Sequence, residues 1–146
     1  MDQAKGKGIE LAMETQGTVF QEWMKQIDDV TISPKPPSSK METDFGRLER
    51  VMAGLDQGDG SYNLKVVVFD DHDFEYAAEI HLKYPGIPFY LQVGNPYLGN
   101  NVENHTQKLL ERYGQLVDIT MNDPRMNDAR VLPQLHTLLW SNRQGV

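Results

Sequence analysis

"LKVVVFDDHDFEYAAEIHLKYPGIPFYLQV", residues 64–93, reads as strand, helix, strand. The run from Leu64 to Phe69 is short, apolar and valine-rich, as a buried strand requires. "DDHD" at 70–73 then supplies aspartates suited to an N-cap and first turn, where the helix dipole favours negative charge. The helical stretch stops at Pro85-Gly86, and Phe89 to Val93 is a second strand. A helix between two strands is the connection that parallel strands need. The class is α/β, a parallel sheet covered by crossover helices.

The same alternation extends outward in both directions. Toward the N-terminus, Ile9 to Glu14 reads as a strand, followed by a helix with Val19, Phe20, Trp23 and Ile27 on one face and Thr18 available as its N-cap. "DDVTI" at 28–32 is the next strand, and Phe45, Leu48, Val51 and Leu55 recur at helical spacing before the turn-rich "LDQGDGSYN". Toward the C-terminus, a helix over about 102–117 places Val102, Thr106, Leu109, Leu110, Tyr113 and Leu116 on one stripe, and "RVLPQLHTLLW" reads as an extended apolar piece. Only eight mostly polar residues precede the first strand, with no helix among them to cover its outer side. The expectation is a chain that starts mid-fold with an open sheet edge.

Its 146 residues make a single domain, 1–146, and 39% hydrophobic and 24% charged residues are ordinary for a globular chain. No apolar run approaches the roughly 20 residues of a membrane span, and no apolar signal core opens the chain, so a cytoplasmic protein without membrane contact is expected. The net charge of −7 repels phosphate backbones, which argues against nucleic acid as a partner. With no cysteine, the chain has no thiolate nucleophile and no ligand of its own for an iron–sulfur cluster.

In parallel α/β folds ligands sit at the carboxyl ends of the strands. Four endings are informatively polar: "ETQGT", "SPKPP", "DDHD" and "QVGNP". Prolines hold Ser33 and Lys35 in extended geometry, presenting a hydroxyl and an ammonium at a strand end; a rigid loop without a ligand is the competing reading. Glu14 sits at another strand end, and Gln92 is the lone amide in an apolar strand, serving either a ligand or a hydrogen bond within the core. Helix capping outweighs metal binding for "DDHD", because adjacent residues do not converge on one centre. His136 and Gln134 share a side if their segment is extended, and His81 and His105 read as surface or boundary residues of helices. The serine-hydrolase elbow, phosphate loop, dinucleotide glycine pattern and His-Glu-x-x-His are all missing. Read without a family, the residues give a ligand-binding face and no recognisable catalyst.

"ETQGTVFQEWMKQIDDVTISPKPPSSKM" at 14–41, "LKVVVFDDHDFEYAAEIHLKYPGIPFYLQVGN" at 64–95 and "RVLPQLHTLLWSNRQGV" at 130–146 closely resemble the C-terminal part of the bacillar 7-carboxy-7-deazaguanine synthases, a radical S-adenosylmethionine family. The resemblance runs from about Glu10 onward. It implies part of a partial (β/α)6 barrel, lacking the first strands, from an enzyme that converts 6-carboxytetrahydropterin to 7-carboxy-7-deazaguanine with loss of ammonia. It also implies S-adenosylmethionine, a [4Fe–4S] cluster and Mg²⁺ as cofactors, and a homodimer. On this resemblance Ser33, Pro34 and Lys35 contact S-adenosylmethionine, with Glu14, Thr15 and Gln92 on the cofactor side and Gln134 and His136 on the substrate side; no residue is assigned to a metal. The family's Cys-x3-Cys-x2-Cys loop is absent, so the chain as it stands is expected to lack the reaction. The alternative is a non-catalytic α/β module that binds a nucleotide or a partner.

Overall fold

A computed structural model describes residues 2–99 and 103–143. Its elements, in chain order, are α1 (Asp2–Lys5), β1 (Ala12–Thr15), β2 (Asp29–Ile32), α2 (Phe45–Leu55), β3 (Ser61–Val68), α3 (Asp71–Lys83), β4 (Phe89–Val93), α4 (His105–Met121), β5 (Arg130–Leu132) and α5 (Leu135–Trp140). Short 3-10 turns lie at Glu22–Gln26, Pro37–Ser39 and Pro124–Met126. The five strands form one sheet in the order β1-β2-β3-β4-β5, and all four pairings are parallel. No helix among the described residues is long and apolar enough to cross a membrane.

This order places the core. Each strand lies beside its predecessor, and right-handed crossovers between such neighbours all fall on one face of a sheet. That face is apolar: Val30, Ile32, Leu64, Val66, Val68, Phe89, Leu91 and Val93 are all buried. Leu48, Val51 and Leu55 of α2, and Phe74, Ala77 and Ile80 of α3, pack into the same core. At about 25 cal/mol per Å² of apolar surface removed from water, this layer is the main stabilising term.

Registered pairing puts Glu14 beside Thr31 and Asn63, Lys65 beside Tyr90 and Arg130, and Val67 beside Gln92 and Leu132, all on the opposite face. These side chains are half-buried or exposed, and most are polar. A central strand covered by helices on both sides reads as continuously apolar. In β3, apolar residues instead alternate with Asn63 and Lys65, so the two faces differ in kind.

Several expectations need correction. The first strand starts at Ala12 rather than Ile9, which is half-exposed; the Ile9 N–H donates to Ala4 O in a short turn behind α1, a helix the sequence reading did not anticipate. The helix expected after β1 is only the 3-10 turn at Glu22–Gln26, entered from Gln21 rather than Thr18. Within the connection from Thr15 to Asp29, Gly17 takes φ +77°, and Val19 and Trp23 stay exposed. Helix α4 extends to Met121, and Val102 lies outside the described residues. The tail is extended only over Arg130–Leu132; after Pro133 it turns into α5. Gln134 becomes the residue preceding that helix and His136 an exposed helical residue, so the two do not alternate along a strand.

His81 and His105 are buried, contrary to the expectation of surface or boundary positions. Both are held by hydrogen bonds from distant segments: His81 Nε2 lies 2.6 Å from Asp128 Oδ1, and His105 Nδ1 lies 2.6 Å from Ser141 Oγ.

Candidate functional site

Where β2 ends, the chain stays extended through Ser33 and then enters the prolines. The Ser33 N–H donates to Thr15 O at 2.7 Å, prolonging the β1–β2 pairing past the sheet. Residues alternate across the sheet, so Ser33, like Thr31, turns to the polar face. There it lines a cavity of about 590 Å³ with Lys35, Val67, Phe69 and Gln134. This volume lies within the roughly 300–1,000 Å³ of small-molecule sites. Pro34, Pro36 and Met41 supply apolar wall, and Ser38 and Ser39 close the loop side.

Ser33 is 2% exposed, yet its hydroxyl has no hydrogen-bond partner among the described residues. The Ser33 Oγ atom is not itself fully buried and opens to the cavity, where it can donate to or accept from a group within it. Nor does the Lys35 ammonium meet a carboxylate within 4 Å among the described residues, and it lines the Ser33 cavity on one side and a second hollow with Gln16, Gly17 and Arg47 on the other.

Helix α3 holds the segment that carries these two residues. Asp70 caps the helix, accepting from Asp73 N at 2.9 Å, so the capping reading of "DDHD" holds for its first residue. Asp73 does something the sequence did not reveal. Fully buried, its carboxylate accepts from Ser38 N at 3.0 Å, Ser38 Oγ at 2.6 Å and Phe69 N at 3.0 Å, fastening the proline loop to the end of β3. One turn further along, Tyr76 reaches the same loop through Thr43, whose hydroxyl donates to Lys35 O at 3.5 Å. Burial raises the Tyr76 phenol above its ordinary pKa, against a smaller opposing effect of the Thr43 bond. Stiffness of the Ser33–Lys35 wall therefore has two sources, local prolines and distant side chains.

The other candidates are distributed unevenly. Glu14 and Gln92 are on the same sheet face as Ser33, but neither lines its cavity. Glu14 is committed to Lys65, with Oε2 2.8 Å from Nζ across two strands. Gln92 donates to Pro133 O at 3.4 Å, directly before Gln134. Thr15 pairs in register with the buried Ile32 and so belongs to the opposite face from Glu14; its Oγ1 accepts from Gly17 N at 3.3 Å. Gln134 joins Ser33 and Lys35 in the cavity wall, whereas His136, exposed on α5, does not line it.

The groups that the family resemblance implies fit unequally. Hydroxyl, ammonium, amide and apolar wall around the Ser33 cavity suit a nucleoside bearing an amino-acid tail. No residue of the chain supplies the thiolates of an iron–sulfur cluster. Among the described residues no group of three or more His, Asp or Glu side chains is placed to hold a metal ion.

The molecule is thus a parallel α/β protein with a ligand-sized cavity at the carboxyl ends of its strands. Over 144 residues, 97% of its length, it is 54% identical to the 7-carboxy-7-deazaguanine synthase of Bacillus cereus (strain ATCC 14579), and it covers 59% of that protein. It is 51% identical over 145 residues to the 7-carboxy-7-deazaguanine synthase of Bacillus subtilis (strain 168), covering 60% of it. The resemblance read from the three sequence segments therefore extends along nearly the whole chain, which spans about three fifths of the length of these relatives. No protein-family model matches the chain.

Proposed function

We propose that these residues form the C-terminal portion of a partial (β/α)6 barrel from a radical S-adenosylmethionine lyase, and that the Ser33 cavity is its cofactor-side wall. In the complete protein the reaction would be conversion of 6-carboxytetrahydropterin to 7-carboxy-7-deazaguanine with release of ammonia, carried out by a cytoplasmic homodimer. Supporting this reading, consecutive parallel strands with their crossover helices packed on one face only are the make-up of one wall of a βα barrel. The observation that carries it is the unpartnered Ser33 hydroxyl, beside an ammonium without a carboxylate, at the mouth of the opposite, polar face.

Within this chain the derived roles are binding and orientation. Ser33 offers a hydroxyl to a ribose or amino-acid group, Lys35 an ammonium to a carboxylate, and Gln134 an amide from the far wall. Glu14 and Lys65 neutralise one another inside the polar face, where Gln92 fixes the turn that delivers Gln134. An iron–sulfur cluster would supply the electron for cleavage of S-adenosylmethionine, but these residues contain no thiolate to hold it. Mg²⁺ likewise has no ligand set among the described residues. The chain alone is proposed to bind cofactor weakly and not to turn over.

Titrating ¹⁵N-labelled protein with S-adenosylmethionine tests this directly. Saturable amide shifts are expected at residues 33–35 and 134, with affinity reduced at least threefold in Lys35→Ala and in Ser33→Ala. Absence of shifts there at millimolar ligand, or variants that bind unchanged, would remove the cavity from the cofactor site and favour a non-catalytic module.

A further inference from the structure

On the helix side of the sheet lies a second cavity, of about 320 Å³, which shares only Phe69 with the Ser33 cavity. Its floor is apolar, formed by Val68 and Val93 at the ends of β3 and β4, Phe74 of α3 and Leu116 of α4, with Ile119 at the rim. Arg112 of α4 stands on one wall, and Asp70 and Asp71 at the start of α3 stand on another.

These opposite charges do not pair with each other. Arg112 Nη2 donates to Phe69 O, which anchors the guanidinium, while its Nε is buried and has no acceptor. No carboxylate lies within 4 Å of Arg112 among the described residues. One oxygen of Asp70 is used in capping, and the Asp71 carboxylate has no cationic partner among the described residues. Arg112 therefore lines the cavity with its charge uncompensated, and a carboxylate is the matching partner for a guanidinium.

We infer that this cavity binds a small zwitterion of amino-acid type with an apolar side chain. The ligand's carboxylate meets Arg112, its ammonium meets Asp71 and the free edge of Asp70, and its side chain lies on Val68, Phe74 and Val93. A simple anion is disfavoured by the two aspartates, and a simple cation by Arg112.

L-Leucine titrated into ¹⁵N-labelled protein is the probe, with leucinamide, which lacks the carboxylate, and N-acetyl-L-leucine, which lacks the ammonium, as comparisons. Leucine is expected to shift the amides of residues 69–71 and 112–116 saturably, with affinity about tenfold above either comparison, the effect of losing one charge-assisted contact. Arg112→Gln should bring leucine down to the leucinamide level, and Asp71→Asn to the N-acetylleucine level. The inference is overturned if leucine at tens of millimolar shifts none of these amides, if all three compounds bind alike, or if folded variants bind leucine as the parent does. Should Arg112→Gln fail to fold, Asp71→Asn and the three-compound comparison decide. Responses at residues 33–35 are read on different amides, so failure at either cavity leaves the other untouched.

Discussion

At the scale of single residues, Asp73 shows how a surface-looking motif can conceal an internal fastener. Ser33 and Lys35 were legible as stiffened strand-end residues because proline acts on its immediate neighbour. The Asp73–Ser38 bond was not, since its partners lie 35 positions apart and nothing local marks them. The same holds for Glu14: its position at a strand end could be read, but its commitment to Lys65 depends on register between strands. Asp73→Ala is expected to cost about 3 kcal/mol, because Ser38 and Phe69 lose buried or half-buried bonds to a carboxylate. Urea unfolding measures this, and a loss below about 1 kcal/mol would contradict the fastening role. Gly17→Ala is expected to cost about 2 kcal/mol or more, since φ is +77° and a Cβ would sit 2.7 Å from Ile32 Cγ2 and 2.8 Å from Leu48 Cδ1.

Among elements, those with strong periodicity and clear stops could be placed from sequence: α2, α3 and β4 lie where their apolar spacing puts them. The 3-10 turn after β1 and helix α5 could not, because short connections are decided by the distance to be spanned and by tertiary contacts rather than by propensity. Helix α3 is also tied to the segment after α4. Arg125 bonds Glu75 through two contacts of 2.9 Å and also bonds Asp123, and these bonds hold both carboxyls below their ordinary pKa; the bond from His81 does the same for Asp128. A carboxyl whose pKa is depressed on folding adds stability above its unfolded pKa, about 4, and loses it as pH falls through the folded value. Stability should therefore decline as the solution is acidified below about pH 4, and less steeply in Glu75→Gln. Urea midpoints measured from pH 6 to pH 2 test this; identical slopes for parent and variant would show that the Arg125 pair has no part in acid sensitivity. Since Glu75 is on the surface, the change is expected to be small.

For the molecule as a whole, the α/β class followed from one strand-helix-strand stretch, but the difference between the two sheet faces required the strand order. Composition cannot distinguish a sheet covered on both sides from one with a polar wall. β1 and β5 are the edges of this sheet, and β1 side chains are at most half-buried, whereas Leu64 and Val66 of β3 and Leu91 of β4 are fully buried. Amides of Met13 and Glu14 are expected to exchange with solvent orders of magnitude faster than those of Val66 and Leu91. Comparable protection across all four would mean that β1 opens only with the entire domain.

Strand order that repeats chain order has a further outcome for assembly. Every unit meets the one made just before it, so the sheet can lengthen one parallel neighbour at a time without a late piece being threaded between earlier ones. Trimming such a row from its last strand shortens it and leaves the preceding pairings intact, while excising β3 from the middle would separate β2 from β4 and split the row in two.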